Sequence, residues 1–347
     1  MVEWMSEDAC RVCGNREGNR LHRAREMFAG TRDEFDYVEC ASCSTLHIRE
    51  VPDLRPYYAG DYYSLCPPEQ ANGAGLKRRL VHRAGSFIRG RVAGYYRERR
   101  RRFGELRRPF GRLLAARAGR VIADFPDYLK IKSLDLRLGP GSGILDVGSG
   151  AGGTLVALSH FGFRDLVGVD PFVESDIVYA SGVRVLKAEL ADLTRRFDLI
   201  LANHSLEHFT DARAALADIH RILKPGHYAV VRIPVVARAW REYGVNWVQL
   251  DAPRHLFLYP ARTFKALAEE AGFAVDEVAY DSTAFQFWGS EQYAREIPLA
   301  DERSYFVNPS KSIFTPEEIA AFDARAEELN RKAEGDQAVF YLRKVSG

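Results

Sequence analysis

Two sets of residues in this 347-residue chain have the types and spacing to do chemistry. One is a pair of thiol pairs, Cys10-Arg-Val-Cys13 followed by Gly14, and Cys40-Ala-Ser-Cys43. Each C-x-x-C turn offers two thiolates to one tetrahedral ion. Four thiolates close the coordination sphere, so such a zinc site holds structure together and leaves no position for reaction. The opening MVEWMSEDAC lacks the basic start and apolar run of an export signal, so the spacing reads as metal binding rather than disulfides, with two redox dithiols as the alternative. The fifth cysteine, Cys66, stands apart as a free thiol.

The other set begins at the turn Asp146-Val-Gly148-Ser-Gly150-Ala-Gly-Gly153, at the end of the apolar run Ile144–Val147. Small residues let backbone approach a ligand and let the next helix start close to the strand. Asp146, ahead of the glycines, would repel a pyrophosphate. It suits a cationic ligand instead, such as the amino group of a methionine moiety. Asp170 follows the turn at the distance where an acid accepts hydrogen bonds from ribose hydroxyls. Glu189, in Ala188-Glu189-Leu190, sits where a third strand ends and an adenine could be bracketed.

These residues need elements to position them. Apolar runs at Ile144–Val147, Leu166–Val169, Val183–Leu186, Phe197–Leu201, Tyr228–Ile233 and Val275–Tyr280 alternate with helical patterns over Thr154–Phe161, Ala212–Leu223 and Thr263–Ala271, with Lys224-Pro225-Gly226 as a breaker. The alternation predicts an α/β fold: a parallel, doubly wound sheet that binds its ligand at the C-terminal ends of the strands. Three parts follow: a small metal-held unit over 1–50, a linker with a basic helical segment over 51–130, and the sheet domain over 131–347, with insertions at 235–260 and 283–336.

Composition is that of an ordinary globular protein, with 46% hydrophobic and 28% charged residues. No apolar run approaches the roughly 18 residues of a membrane span, and the expected location is the cytoplasm. The net charge of +2 hides a basic block at 76–120, where about sixteen Lys/Arg face only Glu98 and Glu105. Three partners fit it: the chain's own core or a second copy in a homodimer, the anionic inner face of a membrane, or nucleic-acid phosphates.

Beyond the fourth strand the chain reads Asn203-His204-Ser205-Leu206-Glu207-His208, and before the fifth Arg221-Ile-Leu-Lys224-Pro225-Gly226. With these motifs, residues 140–280 resemble the class I S-adenosylmethionine-dependent methyltransferases, in particular the group with V-L-E-H after strand four and R-x-L-K-P-G-G before strand five. His227 stands where that group has a second glycine. The resemblance implies a Rossmann-like seven-stranded sheet whose last strand, here Ala338–Arg343, returns antiparallel. It implies a cofactor lined by Asp146, Gly148, Gly150, Asp170, Glu189 and Asn203. A zinc ribbon and the run Tyr57-Tyr58-Ala-Gly-Asp61-Tyr62-Tyr63 ahead of such a core are similar to sugar methyltransferases of bacterial antibiotic and polysaccharide pathways.

The implied activity is methyl transfer from S-adenosylmethionine to a small-molecule or saccharide acceptor, with O-methylation foremost. A sulfonium donor is already activated, so the protein must align the acceptor and take its proton, a task suited to histidine. His208 and His255 are the candidate bases, and Glu207 either orients a histidine or binds the acceptor. His204 reads as a neighbour of the cofactor. The insertion at 283–336, with Gln286, Trp288, Glu291, Tyr293, Arg295 and Tyr305, is expected to wall the acceptor pocket. Three alternatives stay open: C-methylation of a nucleotide-linked keto-sugar, RNA methylation, and a non-catalytic binding module.

Overall fold

The computed structural model describes residues 9–58, 136 and 138–345. Cys66 and the basic block at 76–120, with the partners expected of it, lie outside the described residues. The chain divides into two compact units, one of residues 1–60, 202–220 and 230–347, the other of residues 61–201 and 221–229.

In the first unit, β1 (Arg20–Arg25), β2 (Glu34–Glu39) and β3 (Leu46–Ile48) form an antiparallel ribbon. Its fourth strand comes from far along the chain. β10 (Phe257–Leu258), within the 235–260 segment, pairs with β3 in the register Phe257↔His47 and Leu258↔Leu46. The same unit contains β11 (Phe273–Tyr280) and the antiparallel β12 (Gln337–Lys344), which is the return strand expected at Ala338–Arg343.

In the second unit, β4 (Gly143–Val147) lies between β5 (Asp165–Val169) and β8 (Phe197–Asn203), parallel to both. All five β4 residues are buried, the continuous apolar pattern of a strand covered on both faces. β7 (Arg184–Leu186) is parallel to β5, and β6 (Ile177–Val178) adds an antiparallel edge to β7. With β9 (Leu223–Pro234) the sheet order is β11-β12-β9-β8-β4-β5-β7-β6. This is the expected seven-stranded Rossmann-like sheet plus the two-residue β6; β8 and β9 each run through the boundary between units.

Two expectations change. Lys224-Pro225-Gly226 does stop a helix (Ala212–Ile222), but β9 begins at Leu223 and contains the breaker, with Gly226 at φ 75°. Glycine reaches that conformation without steric cost. The 283–336 insertion also differs from a pocket wall. Its helix Phe285–Ala294 carries bulky side chains around its circumference and is interior: Gln286 and Tyr293 are buried, and Trp288 packs with Met27, Val248 and Leu299. A helix buried on most of its faces, polar residues such as Ser290 and Gln292 included, belongs to the core. Glu291 instead pairs with Arg295 and accepts a hydrogen bond from Tyr243. The following helix, Pro316–Arg331, starts as its sequence demands, with a Thr315/Glu318 capping box and proline in the first turn. Among the described residues no helix is long and apolar enough to cross a membrane.

Candidate functional site

The four thiols converge in the first unit. Cys10 Sγ lies 3.6 Å from Cys43 Sγ and Cys13 Sγ 3.5 Å from Cys40 Sγ, and all four sulfurs lie within 4.8 Å of one another as free cysteines. Sulfurs bound at about 2.3 Å to one tetrahedral ion sit roughly 3.8 Å apart, so the cluster fits zinc. The two turns share one geometry. Gly14 N–H donates to the Cys10 carbonyl and Ser44 N–H to that of Cys40, with Gly14 and Ser44 both at positive φ (75° and 59°). Gly14 marks its turn in the sequence; serine at 44 hides the second.

In the second unit the glycine turn closes over β5. Asp146 is 3% exposed, and burial, with Asp170 nearby, raises its carboxyl to about 7. Such a group gains from a cation beside it. Asp170 is also buried, and it does something its spacing did not reveal: Oδ2 accepts the Gly150 N–H at 2.8 Å and Oδ1 that of Phe172 at 2.9 Å. It pins the turn, and each oxygen keeps a lone pair for a hydroxyl. Gly148, Gly150 and Gly152 all have positive φ. Gly168 on β5 is required by contact, since a Cβ there would run into the Ser149 side chain, whose Cβ would lie 2.8 Å away. Glu189 is exposed and caps the 3-10 turn Leu190–Asp192.

In the first unit, β8 ends at Asn203, whose Oδ1 accepts from Arg232 Nη1 at 3.2 Å. Beyond it the chain turns sharply at His204, φ 50°. Arg232 also donates to His204 Nε2 (3.1 Å) and to Asp281 Oδ2 (2.6 Å). His204 Nδ1 therefore carries its proton, 3.3 Å from Glu207 Oε1. Glu207 is fully buried on the 3-10 turn Leu206–His208, and among the described residues neither of its oxygens has a hydrogen-bond partner. Burial raises its pKa, but the approach of the His204 ring and the positive charge of His208, His204 and His255 when they are protonated outweigh that and lower it to about 2.

His208 Nδ1 lies 2.8 Å from the Arg254 carbonyl and 3.1 Å from the Tyr58 hydroxyl. His255 Nδ1 lies 2.7 Å from the Gln249 carbonyl, and its ring meets that of His208 edge-on at 4.9 Å. His255 Nε2 is 3.9 Å from Glu207 Oε1 and 3.8 Å from Asp251 Oδ2. Burial, foremost, lowers His255 to about 4. Interior placement thus makes His255 a weaker base than a solvated imidazole.

The structure thus brings Glu207, His208 and His255 together and adds residues that the motifs did not mark. Arg254, 1% exposed, bonds both oxygens of Asp251 and lies 3.3 Å from Glu26 Oε1. Glu26, also buried, accepts four backbone N–H bonds, from Phe28, Ala29, Gly30 and Thr31. Tyr37 of β2 donates to the His255 carbonyl at 2.9 Å. The ribbon is therefore the backing of the histidine loop. The one sequence signal for this was Glu26 just ahead of the Phe28-Ala-Gly-Thr31 turn.

Residues 96–278 match the family described as "Methyltransferase domain". The ubiquinone biosynthesis O-methyltransferase of Azorhizobium caulinodans is 32% identical over 154 residues, 39% of this chain and 60% of that protein. The enzyme of the same name from Rhodopseudomonas palustris is 26% identical over 162 residues, 39% of this chain and 63% of that protein. The chain thus spans less than two thirds of the length of these relatives. The cyclopropane synthase MmaA2 of Mycobacterium tuberculosis superposes with a TM-score of 0.41 at 17% identity, over 65% of this chain and 84% of that one.

Proposed function

The chain belongs to the methyltransferase-domain family, and from that premise we propose that it transfers the methyl group of S-adenosylmethionine to a hydroxyl of a small-molecule or saccharide acceptor. The observation that carries the cofactor is Asp146, buried and raised to about 7 at the end of β4, where the cofactor's ammonium group relieves an otherwise unfavourable carboxylate. Gly148 and Gly150 leave room for the cofactor, and Asp170 and Glu189 offer polar contacts to its nucleoside. Oxygen as the accepting atom draws support from the relatives, which are named O-methyltransferases.

The donor, when bound, supplies a methyl on sulfonium sulfur whose displacement leaves a neutral thioether. The protein's part is to orient the acceptor and remove its proton. The Glu207–His208–His255 cluster serves the second task. His208 is half-buried and, with its Nδ1 proton given to the Arg254 carbonyl, presents Nε2 as a lone pair. Glu207 stabilises the imidazolium that results. The four thiols hold a structural zinc ion that keeps the ribbon behind this cluster.

The test is calorimetric titration with S-adenosylmethionine, followed by transfer of labelled methyl to hydroxylated small molecules and to saccharides. Saturable binding and an alkali-stable methyl ether are expected. No saturable binding up to millimolar cofactor would sink the proposal.

A further inference from the structure

We propose that Glu207, His208 and His255 form a second metal site, a zinc(II) centre separate from the four-thiol ribbon, with one position open to an oxygen ligand. The inference rests on the function proposed above and names how the acceptor hydroxyl would be held and acidified.

Hydrogen bonding assigns the tautomers. A carbonyl only accepts, so the Arg254 carbonyl 2.8 Å from His208 Nδ1 and the Gln249 carbonyl 2.7 Å from His255 Nδ1 place the proton of each ring on Nδ1. Both Nε2 atoms are left with lone pairs. Histidines that bind metal are oriented in this way, with the other ring nitrogen donating to a carbonyl or carboxylate.

The carboxylate supplies an independent observation. Glu207 is 0% exposed, and among the described residues neither oxygen has a hydrogen-bond partner. A carboxylate buried in this way calls for positive charge beside it. His204 Nδ1 lies 3.3 Å from Oε1 without making a hydrogen bond to it. One ligand atom from each of Glu207, His208 and His255 lies within 4.8 Å of the others, near enough for modest side-chain rotation to reach metal bond lengths of roughly 2.0–2.2 Å.

Charge points the same way. Among the described residues around His255, the buried carboxylates of Glu26 and Glu207 and the partly buried one of Asp251 face the buried guanidinium of Arg254. These described groups hold more carboxylates than guanidinium, an imbalance that a divalent ion would offset. Two imidazoles and one carboxylate favour zinc over magnesium or calcium, which prefer oxygen ligands.

Three protein ligands leave a fourth position that a hydroxyl oxygen of the acceptor can fill. Bound there, the hydroxyl loses its proton to water. The oxygen's electron pair then forms the bond to the methyl carbon, and the carbon–sulfur pair stays on sulfur. The imidazole lone pairs, proton acceptors in the metal-free site, become ligands.

Metal analysis of the full-length chain, zinc-loaded and dialysed, tests this. About two zinc ions per chain are expected in the wild type and about one in Glu207→Gln and in His208→Gln, each with unchanged S-adenosylmethionine affinity. Cobalt(II) exchange gives a second readout. The weak visible bands of a nitrogen/oxygen site should vanish in the variants, while the intense thiolate-to-cobalt bands of the ribbon persist. If Glu207→Gln does not fold, the half-buried His208→Gln carries the test. A wild type with one ion, or variants that keep both, overturns the metal site while cofactor binding leaves the methyltransferase reading intact. Absent cofactor binding overturns that reading, and the ion count still decides the site.

Discussion

Around Asp146 the structural partners are close in the chain, whereas around His255 they come from its length. The turn's pinning bond, Gly150 to Asp170, spans 20 residues. The bonds that fix the histidine cluster span 150 residues from Tyr58 to His208, 218 from Tyr37 to His255 and 228 from Glu26 to Arg254. The first site uses backbone N–H groups and small residues, which a local motif specifies. The second uses buried charges that are tolerable only because tertiary contacts satisfy them.

That contrast can be broken most forcefully at the cluster. His208→Ala is expected to reduce turnover about 100- to 10,000-fold, the range for losing a group that takes or acidifies the acceptor proton, with cofactor affinity unchanged by calorimetry. An equal fall in cofactor affinity would mean that the two regions are not functionally separable. Next is Arg254→Met, which leaves the buried Glu26 and the partly buried Asp251 without their guanidinium. Removing one partner of a buried charge network costs about 3–5 kcal/mol, to be read from urea unfolding; a loss below about 1 kcal/mol would show that the network is not holding the loop.

At the turn, Asp146→Asn should weaken S-adenosylmethionine about 10- to 100-fold, the equivalent of a charged hydrogen bond worth about 1.5–3 kcal/mol. Turnover at saturating cofactor should stay close to wild type. The smallest effect is a pH slope. Asp146 in the free protein stays protonated up to about 7, yet an ammonium ligand needs the carboxylate. Binding below that value must therefore release a proton, so cofactor affinity should rise about fivefold from pH 6 to 7 and at most about twofold more above it. A flat profile, or a slope that survives in Asp146→Asn, would remove Asp146 from the cofactor.

Legibility followed the same division. The positions of β4, β5 and β8 could be read because buried parallel strands are short apolar runs. Where backbone detail intervened, as with Gly226 inside β9, the boundary moved. Trp288 and Tyr293 looked like pocket residues because aromatics line pockets and cores alike, and only packing distinguishes the two.

By itself, then, the sequence determined the α/β sheet, the glycine turn with Asp146 and Asp170, and the pairing of four cysteines. In each, residue type and short-range spacing dictate the geometry. Only the tertiary structure decided that Glu26 and Arg254 are a buried pair, that Asp170 also pins the turn, and that Glu207 meets two histidines with neither of its oxygens hydrogen-bonded. A lone Glu or Arg in a sequence reads as a solvated side chain. Its meaning depends on burial and on a partner that chain folding brings from elsewhere.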